Sequence, residues 1–327
     1  MNIQRWIARR EINWKQLQQL LAKLDKKGLK SLSATEIRQL ASLYRSVSAD
    51  LARAKTHKVG YIIEQDLQNL TSRSYTQIYQ GARRQEWKAV KDFYRYGFPQ
   101  IVQETWLYWT IATGLFIASG LIAWWYSWQD PSFMSLIVPE HLIHKVREEQ
   151  QLWMGSILGV EPVASSNIMI NNISVCFNTI AGGITAGIFT IYVLILNGLL
   201  IGSIGTLVAQ NNLAYPFWAF VFPHGSLELP AIFFAGGAGL LIARALLFPG
   251  EYRRVDAFKI YGKKAAKLVY GLVPMLIIAG IIEGFFSPNP LFPDTFKYLV
   301  GIIIFGLLIL YCSRSFVKKS EVNRGEL

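Results

Sequence analysis

His224 and Glu228 lie four residues apart in the segment Pro223-His224-Gly225-Ser226-Leu227-Glu228-Leu229-Pro230. On a helix that spacing puts both side chains on one face, where Glu283 could complete a three-ligand metal set. Pro223 and Pro230 argue against a regular helix through the segment. The reading adopted is therefore a rigid re-entry loop whose acidic side chain caps backbone amides, with no metal and no cofactor assigned. Glu283 stands in the apolar stretch Ile281-Ile282-Glu283-Gly284. An ionised carboxylate at membrane depth is costly, so it must face other helices, be protonated or reach water. Four residues from the end of its run, Glu283 is expected to snorkel outward, with a functional role as the alternative. Asn171 and Asn172 open another uncharged run. Together these five residues form a polar cluster that is either structural or functional.

The elements that must position them are membrane helices. Residues 168–209 contain no Asp, Glu, Lys, Arg or His, and residues 106–128 are also uncharged. The latter run is long enough, at about 1.5 Å per residue, to cross a hydrocarbon core of about 30 Å. Trp106, Tyr108 and Trp109 at one end, and Trp124, Trp125, Tyr126 and Trp128 at the other, mark interfacial belts. Further runs cover 229–248, 268–286 and 296–313. Reading 168–209 as two spans joined by a tight hairpin near Gly187 to Tyr192 gives six crossings. The alternative is a break at Asn197-Gly198 with a re-entrant half-helix.

Charge supports the six-span reading. The first 105 residues hold 19 Lys/Arg against 9 Asp/Glu, and residues 251–267 hold 6 against 2. Residues 129–167 hold 2 basic and 5 acidic residues, and 210–228 hold no Lys or Arg. Basic blocks thus alternate with neutral or acidic ones, as the positive-inside rule requires if both termini are cytoplasmic. The formal net charge of +12 is accounted for in this way, and no nucleic-acid partner is implied. Cys176 and Cys312 fall in spans near opposite faces, so no disulfide is expected.

The expected fold is all-α, a polytopic membrane helix bundle of about six spans with an N-terminal cytoplasmic helical domain. Its parts are a basic helical domain at 1–105, a first span at 106–128, and an extracytoplasmic loop at 129–167. A bundle of about five spans at 168–316 and a cytoplasmic tail at 317–327 complete it. In the first part, Leu17, Leu20, Leu21 and Leu24 recur at helical spacing and Gly28 ends the element. Ser33-Ala34-Thr35-Glu36 is a capping box for the next helix, and a third helix runs from about Ser74 to Tyr96. In the loop, residues 133–158 read as one amphipathic helix on the outer surface. Arg244, about 24 Å deeper than Glu228, is expected to snorkel toward lipid phosphate and not to pair with Glu283. Gly183, Gly187, Gly198, Gly202, Gly236 and Gly237 strip side chains from helix surfaces and permit close backbone packing, with the Asn197 side chain buried between helices. Such surfaces build the bundle's own core or join protomers of a homo-oligomer.

The chain resembles the stage II sporulation protein M family of bacterial integral membrane proteins. The resemblance rests on Asn171-Asn172, Gly182-Gly183 to Gly187, Asn197-Gly198 with Gly202, the segment from Phe222 to Ile232, Ala235-Gly236-Gly237-Ala238-Gly239, and Glu283-Gly284-Phe285-Phe286-Ser287-Pro288. It extends to Leu43-Tyr44-Arg45, Ala49-Asp50-Leu51-Ala52 and Phe98-Pro99. It implies a membrane anchor and organiser, whose namesake takes part in forespore engulfment with cell-wall-degrading partners, although the family also occurs in bacteria that form no spores. It supplies no catalytic residue. The expected function is a non-enzymatic scaffold or anchor of a membrane or cell-envelope assembly in the bacterial cytoplasmic (inner) membrane or an internal membrane. Its partners would be the lipid bilayer and other membrane or envelope proteins. The alternative is a transporter, channel or lipid-moving protein that uses the polar cluster. A hydrolase using His224 with the two glutamates is disfavoured because no serine or cysteine nucleophile stands beside them in a recognisable arrangement, and without a Walker A loop any energy source would be separate.

Overall fold

The computed structural model describes residues 3–27 and 31–314, which leaves Gly28 and the 317–327 tail outside the described residues. All regular structure among them is helical, and the chain divides into two compact units, Met1–Asp92 and Phe93–Leu327.

The first unit is a three-helix assembly of α1 (Ile3–Lys27), α2 (Ala34–Thr56) and α3 (Tyr61–Asp92). Apolar residues at helical spacing make its core, with Leu17, Leu21, Val47 and Leu67 fully buried. α2 starts at the capping box: Glu36 N–H donates to Ser33 Oγ at 3.2 Å, and Ser33 N–H donates to Glu36 Oε2 at 2.7 Å. Lys23 also donates to Glu36 at 2.6 Å. This bond, followed by that from the Ser33 backbone, holds the Glu36 carboxyl down at about 2. One charge is buried here. Asp50 accepts from Arg10 Nε at 2.8 Å and from Trp14 Nε1 at 3.0 Å, so its desolvation is offset by directed bonds. α3 begins at Tyr61, well before Ser74, because Gly60 ends the preceding turn at φ 137° and nothing after it interrupts the helix.

In the second unit a π-turn (Phe93–Gly97) and α4 (Phe98–Glu104) precede α5 (Trp106–Gln129). Phe98, Ile101 and Val102 are buried in the core of this unit, so the segment 1–105 divides at Asp92 and its last residues belong to the bundle. There follow α6 (Pro131–Ser135), α7 (Glu140–Arg147), a 3-10 turn (Trp153–Ile157), α8 (Glu161–Ala181), α9 (Ile188–Gln210), α10 (Ala214–Leu247), α11 (Arg254–Ile281), a π-turn (Ile282–Phe286) and α12 (Asp294–Cys312). Among the described residues six helices are long and apolar enough to cross a membrane: α5, α8, α9, α10, α11 with its π-turn, and α12. The protein is an all-α, multi-pass membrane protein. Its outer faces carry exposed Leu, Ile and Trp, among them Ile302, Leu307 and Leu310 on α12. Such faces suit contact with lipid rather than water.

The uncharged run is a hairpin. α8 passes through a 3-10 turn (Gly182–Thr185) into Ala186 and Gly187, both left-handed at φ 56° and 86°, and α9 then starts. Thr185 Oγ1 accepts from Phe189 N–H at 3.0 Å, and Thr190 Oγ1 donates to the Thr179 carbonyl at 2.7 Å across the turn. α9 continues unbroken through Asn197-Gly198. Asn197 is half-buried and donates to its own helix at Val193 O (2.8 Å), so it is not the interhelical contact that the sequence suggested.

α10 is the central helix, packed against α5, α8, α9, α11 and α12. It runs continuously through Pro223 and Pro230, which corrects the expected re-entry loop. A break inside lipid would leave many backbone groups without partners, whereas two prolines remove only one donor each. Ser226 Oγ also donates to the Pro223 carbonyl at 2.8 Å.

The loop between α5 and α8 also departs from expectation. It is several short pieces and not one amphipathic helix. Pro139 starts α7, Gln150 turns left-handed at φ 53°, and Gly159 does so at 88°. Met134, Val138, Val146 and Met154 fold down onto Ile204, Leu207, Val208, Phe217 and Phe220. This gives the C-terminal end of α9 and the N-terminal end of α10 a compact cap.

Candidate functional site

The continuity of α10 puts His224 and Glu228 on one face, one turn apart. Glu283 reaches the same place from the π-turn after α11, a local widening of the helix that often marks functional positions. One ligand atom from each of the three lies within 4.8 Å of the others. His224 Nε2 stands 3.8 Å from Glu283 Oε1, too far for a hydrogen bond. His224 Nδ1 is 3.2 Å from Ser287 Oγ, and the ring edge meets Phe220 at 5.4 Å between centroids. His224 is 5% exposed. Glu283 is 16% exposed at its side chain, and its Oε2 is enclosed without a hydrogen-bond partner. Glu283 therefore faces the bundle and does not snorkel outward. Its place in the widened turn, one turn before Ser287, turns it inward.

Close packing fixes this turn. A Cβ at Gly284 would collide with Ser165 of α8, and Ser165 Oγ donates to the Gly280 carbonyl at 2.8 Å. α8 is thereby held against the end of α11, and it brings Asn171 and Asn172 to the same region. Both line a cavity of about 570 Å³ together with His224, Glu228 and Glu283. Trp153 and Met154 of the cap close part of its rim. Neither asparagine is hydrogen-bonded to the His–Glu cluster: Asn171 Nδ2 donates to Asn172 Oδ1 at 3.4 Å. The cluster is thus three residues, with the asparagines on the cavity wall.

The glycines serve packing elsewhere. Cβ atoms at Gly198 and Gly202 would strike the backbone of α5 at Phe116 and Gly120. At Gly183 one would strike the Gly239 carbonyl of α10, and at Gly236 and Gly237 one would meet Ala112 and Trp109 of α5. Gly187 supplies the left-handed turn and sits 3.0 Å, measured from an added Cβ, from Ala243 Cβ. Arg244 donates to Tyr261 OH at 2.9 Å and lies over that ring. Its partner is therefore a side chain of α11, a contact that sequence separation could not supply.

Sequence reasoning missed Ser287, the partner of His224, and Ser165, the strap between α8 and α11. Ser287 follows Glu283 by four residues, a spacing that signals a shared helix face once the π-turn is recognised.

Comparison with known proteins agrees with this architecture. Residues 112–288, which hold the whole cluster, match the family described as stage II sporulation protein M. Residues 4–80 match a family described as a domain of unknown function (DUF8413). An uncharacterized protein of Methanocaldococcus jannaschii is 30% identical over 125 residues, which cover 38% of this chain and 70% of that protein. No solved structure matches. With more than half of its length matched to that family, the chain belongs to the stage II sporulation protein M family.

Proposed function

We propose that this protein is a non-enzymatic membrane scaffold or anchor that organises a membrane or cell-envelope assembly. It would sit in the cytoplasmic membrane with both termini in the cytoplasm. The observation that carries this reading is the pairing of two differently built units. One is a water-type helical unit with its own leucine core. The other is a bundle in which α5, α9 and α10 meet at glycine-to-backbone contacts. The first suits docking of protein partners, and the second suits a rigid anchor. The alternation of basic and acidic loops supports the orientation.

The cavity of about 570 Å³ lined by the polar cluster favours a second reading, movement of a solute or lipid. Flux through liposomes carrying the purified protein separates the two. Flux in the wild type that disappears in Glu283→Gln would establish transport, whereas the scaffold reading expects none for any tested solute or lipid. Orientation is tested by single-cysteine labelling at Gln151, Asn212 and Lys263, all exposed. Only Lys263→Cys should be labelled from the cytoplasmic side.

A further inference from the structure

We propose that His224, Glu228 and Glu283 bind a divalent transition-metal cation of the zinc type, with an open coordination position toward the cavity. The expectation of no metal rested on a helix break at Pro223 and Pro230 that α10 does not make.

Four observations carry the inference. The three side chains offer one nitrogen and two carboxylate oxygens within 4.8 Å of one another. Bonds to zinc of about 2.0–2.2 Å require ligand atoms to converge to about 3.3 Å, a side-chain rotation on the order of 1 Å. The ligand atoms do not satisfy each other: the 3.8 Å from His224 Nε2 to Glu283 Oε1 is not a hydrogen bond, and Glu283 Oε2 is enclosed without one. Two carboxylates stand together in an apolar bundle, yet no lysine or arginine is among the described residues lining the cavity. A divalent cation supplies the missing positive charge. Finally, Ser287 Oγ engages His224 Nδ1, which orients the ring and leaves Nε2 to face the carboxylates, as an outer-shell partner does for a metal-bound histidine.

The imidazole selects the metal class. Calcium and magnesium prefer all-oxygen sets, whereas zinc and its neighbours take nitrogen with carboxylate. Three protein ligands leave a fourth tetrahedral position, and the cavity with Asn171 and Asn172 on its wall provides room for water there. This site is independent of the scaffold reading, since an anchor can be held together by such an ion.

The test uses the full chain, purified in detergent without a histidine tag, stripped with chelator and reloaded with zinc. Bound metal is counted by elemental mass spectrometry and its affinity measured by dye competition. One zinc per chain is expected in the wild type. That zinc should be lost in His224→Gln and Glu283→Gln. Ser287→Ala should retain it about 10- to 100-fold more weakly. The exposed His57, His141 and His144 provide the control, because replacing all three by glutamine should change nothing. A wild type without zinc, zinc retained in Glu283→Gln, or loss only in the triple variant overturns the proposal. If the ligand variants fail to fold, X-ray absorption of the zinc-loaded wild type decides. One imidazole with oxygen ligands supports the site, and sulfur or all-oxygen coordination refutes it.

Discussion

The two units of this chain solve the same problem, packing helices together, in different ways. In the first, large apolar side chains are driven out of water: Leu17, Leu21, Val47 and Leu67 are fully buried, and α2 starts at a side-chain capping box. In the second, apolar side chains such as Ile302 and Leu310 point outward although others such as Leu268 and Leu272 are buried in a core, and helices also meet backbone to backbone where side chains are absent, as at Gly198, Gly202 and Gly239. Lipid gives leucine no reason to turn inward, so backbone approach and hydrogen bonding have to supply the cohesion. Two enclosed carboxylates, one in each unit, also differ. Asp50 is buried with its bonds made, whereas Glu283 is half-buried with one oxygen enclosed and left open. That difference marks the second carboxylate, and not the first, as a site for something further.

The largest effect should come from filling a glycine contact. Gly202→Leu places a side chain against the Gly120 backbone of α5, and the bundle cannot separate the two helices without losing the 3.0 Å hydrogen bond that the neighbouring Ser203 makes with Ser127. The expected outcome is loss of the monodisperse detergent-solubilised protein in size-exclusion chromatography. Next comes the leucine pair. Leu21→Ala in α1 should cost about 2–5 kcal/mol by hydrogen-exchange protection of the first unit. Leu310→Ala, lipid-facing on α12, should change stability by less than about 0.5 kcal/mol. Equal costs would remove the contrast between the units.

Arg10→Ala leaves Asp50 buried with only Trp14 and the distant Arg53, 3.9 Å away. Breaking a buried pair can cost about 3–5 kcal/mol, and the partial exposure of Arg10 reduces the expectation to about 2 kcal/mol. The smallest effect belongs to the α2 cap. Ser33→Ala should cost about 1 kcal/mol in the same assay. Because the Glu36 carboxyl is held down at about 2, its contribution is present above the ordinary carboxyl value of 4.5 and fades as pH falls through about 2. Exchange in the first turn of α2 should therefore rise over that acid window, and Glu36→Gln should remove the dependence.

The six spans were legible because an uncharged run of membrane length admits few other structures, and charge parity fixes how many times the chain crosses. The Ser33 box was legible because its partners are three residues apart. The course of α10 was not, since proline rules describe helices in water, where a broken turn can be solvated. Nor was the inward turn of Glu283, which depends on the π-turn and on Gly284 packing against Ser165, contacts made across more than a hundred residues of sequence. The cap at 130–160 was misread because its apolar residues fit one amphipathic helix, while Pro139 and Gly159 divide the backbone that would carry it.

The proposed scaffold role expects a division of labour between the units, with the bundle anchoring and the first unit engaging partners. The most direct test is cross-linking mass spectrometry in native membranes that carry the full-length protein, compared with the full-length Leu21→Ala variant. The expected result is a reproducible set of membrane or envelope proteins cross-linked to α1–α3 surfaces, reduced in the variant while bundle cross-links persist. Cross-links confined to the bundle and unchanged by Leu21→Ala would contradict it.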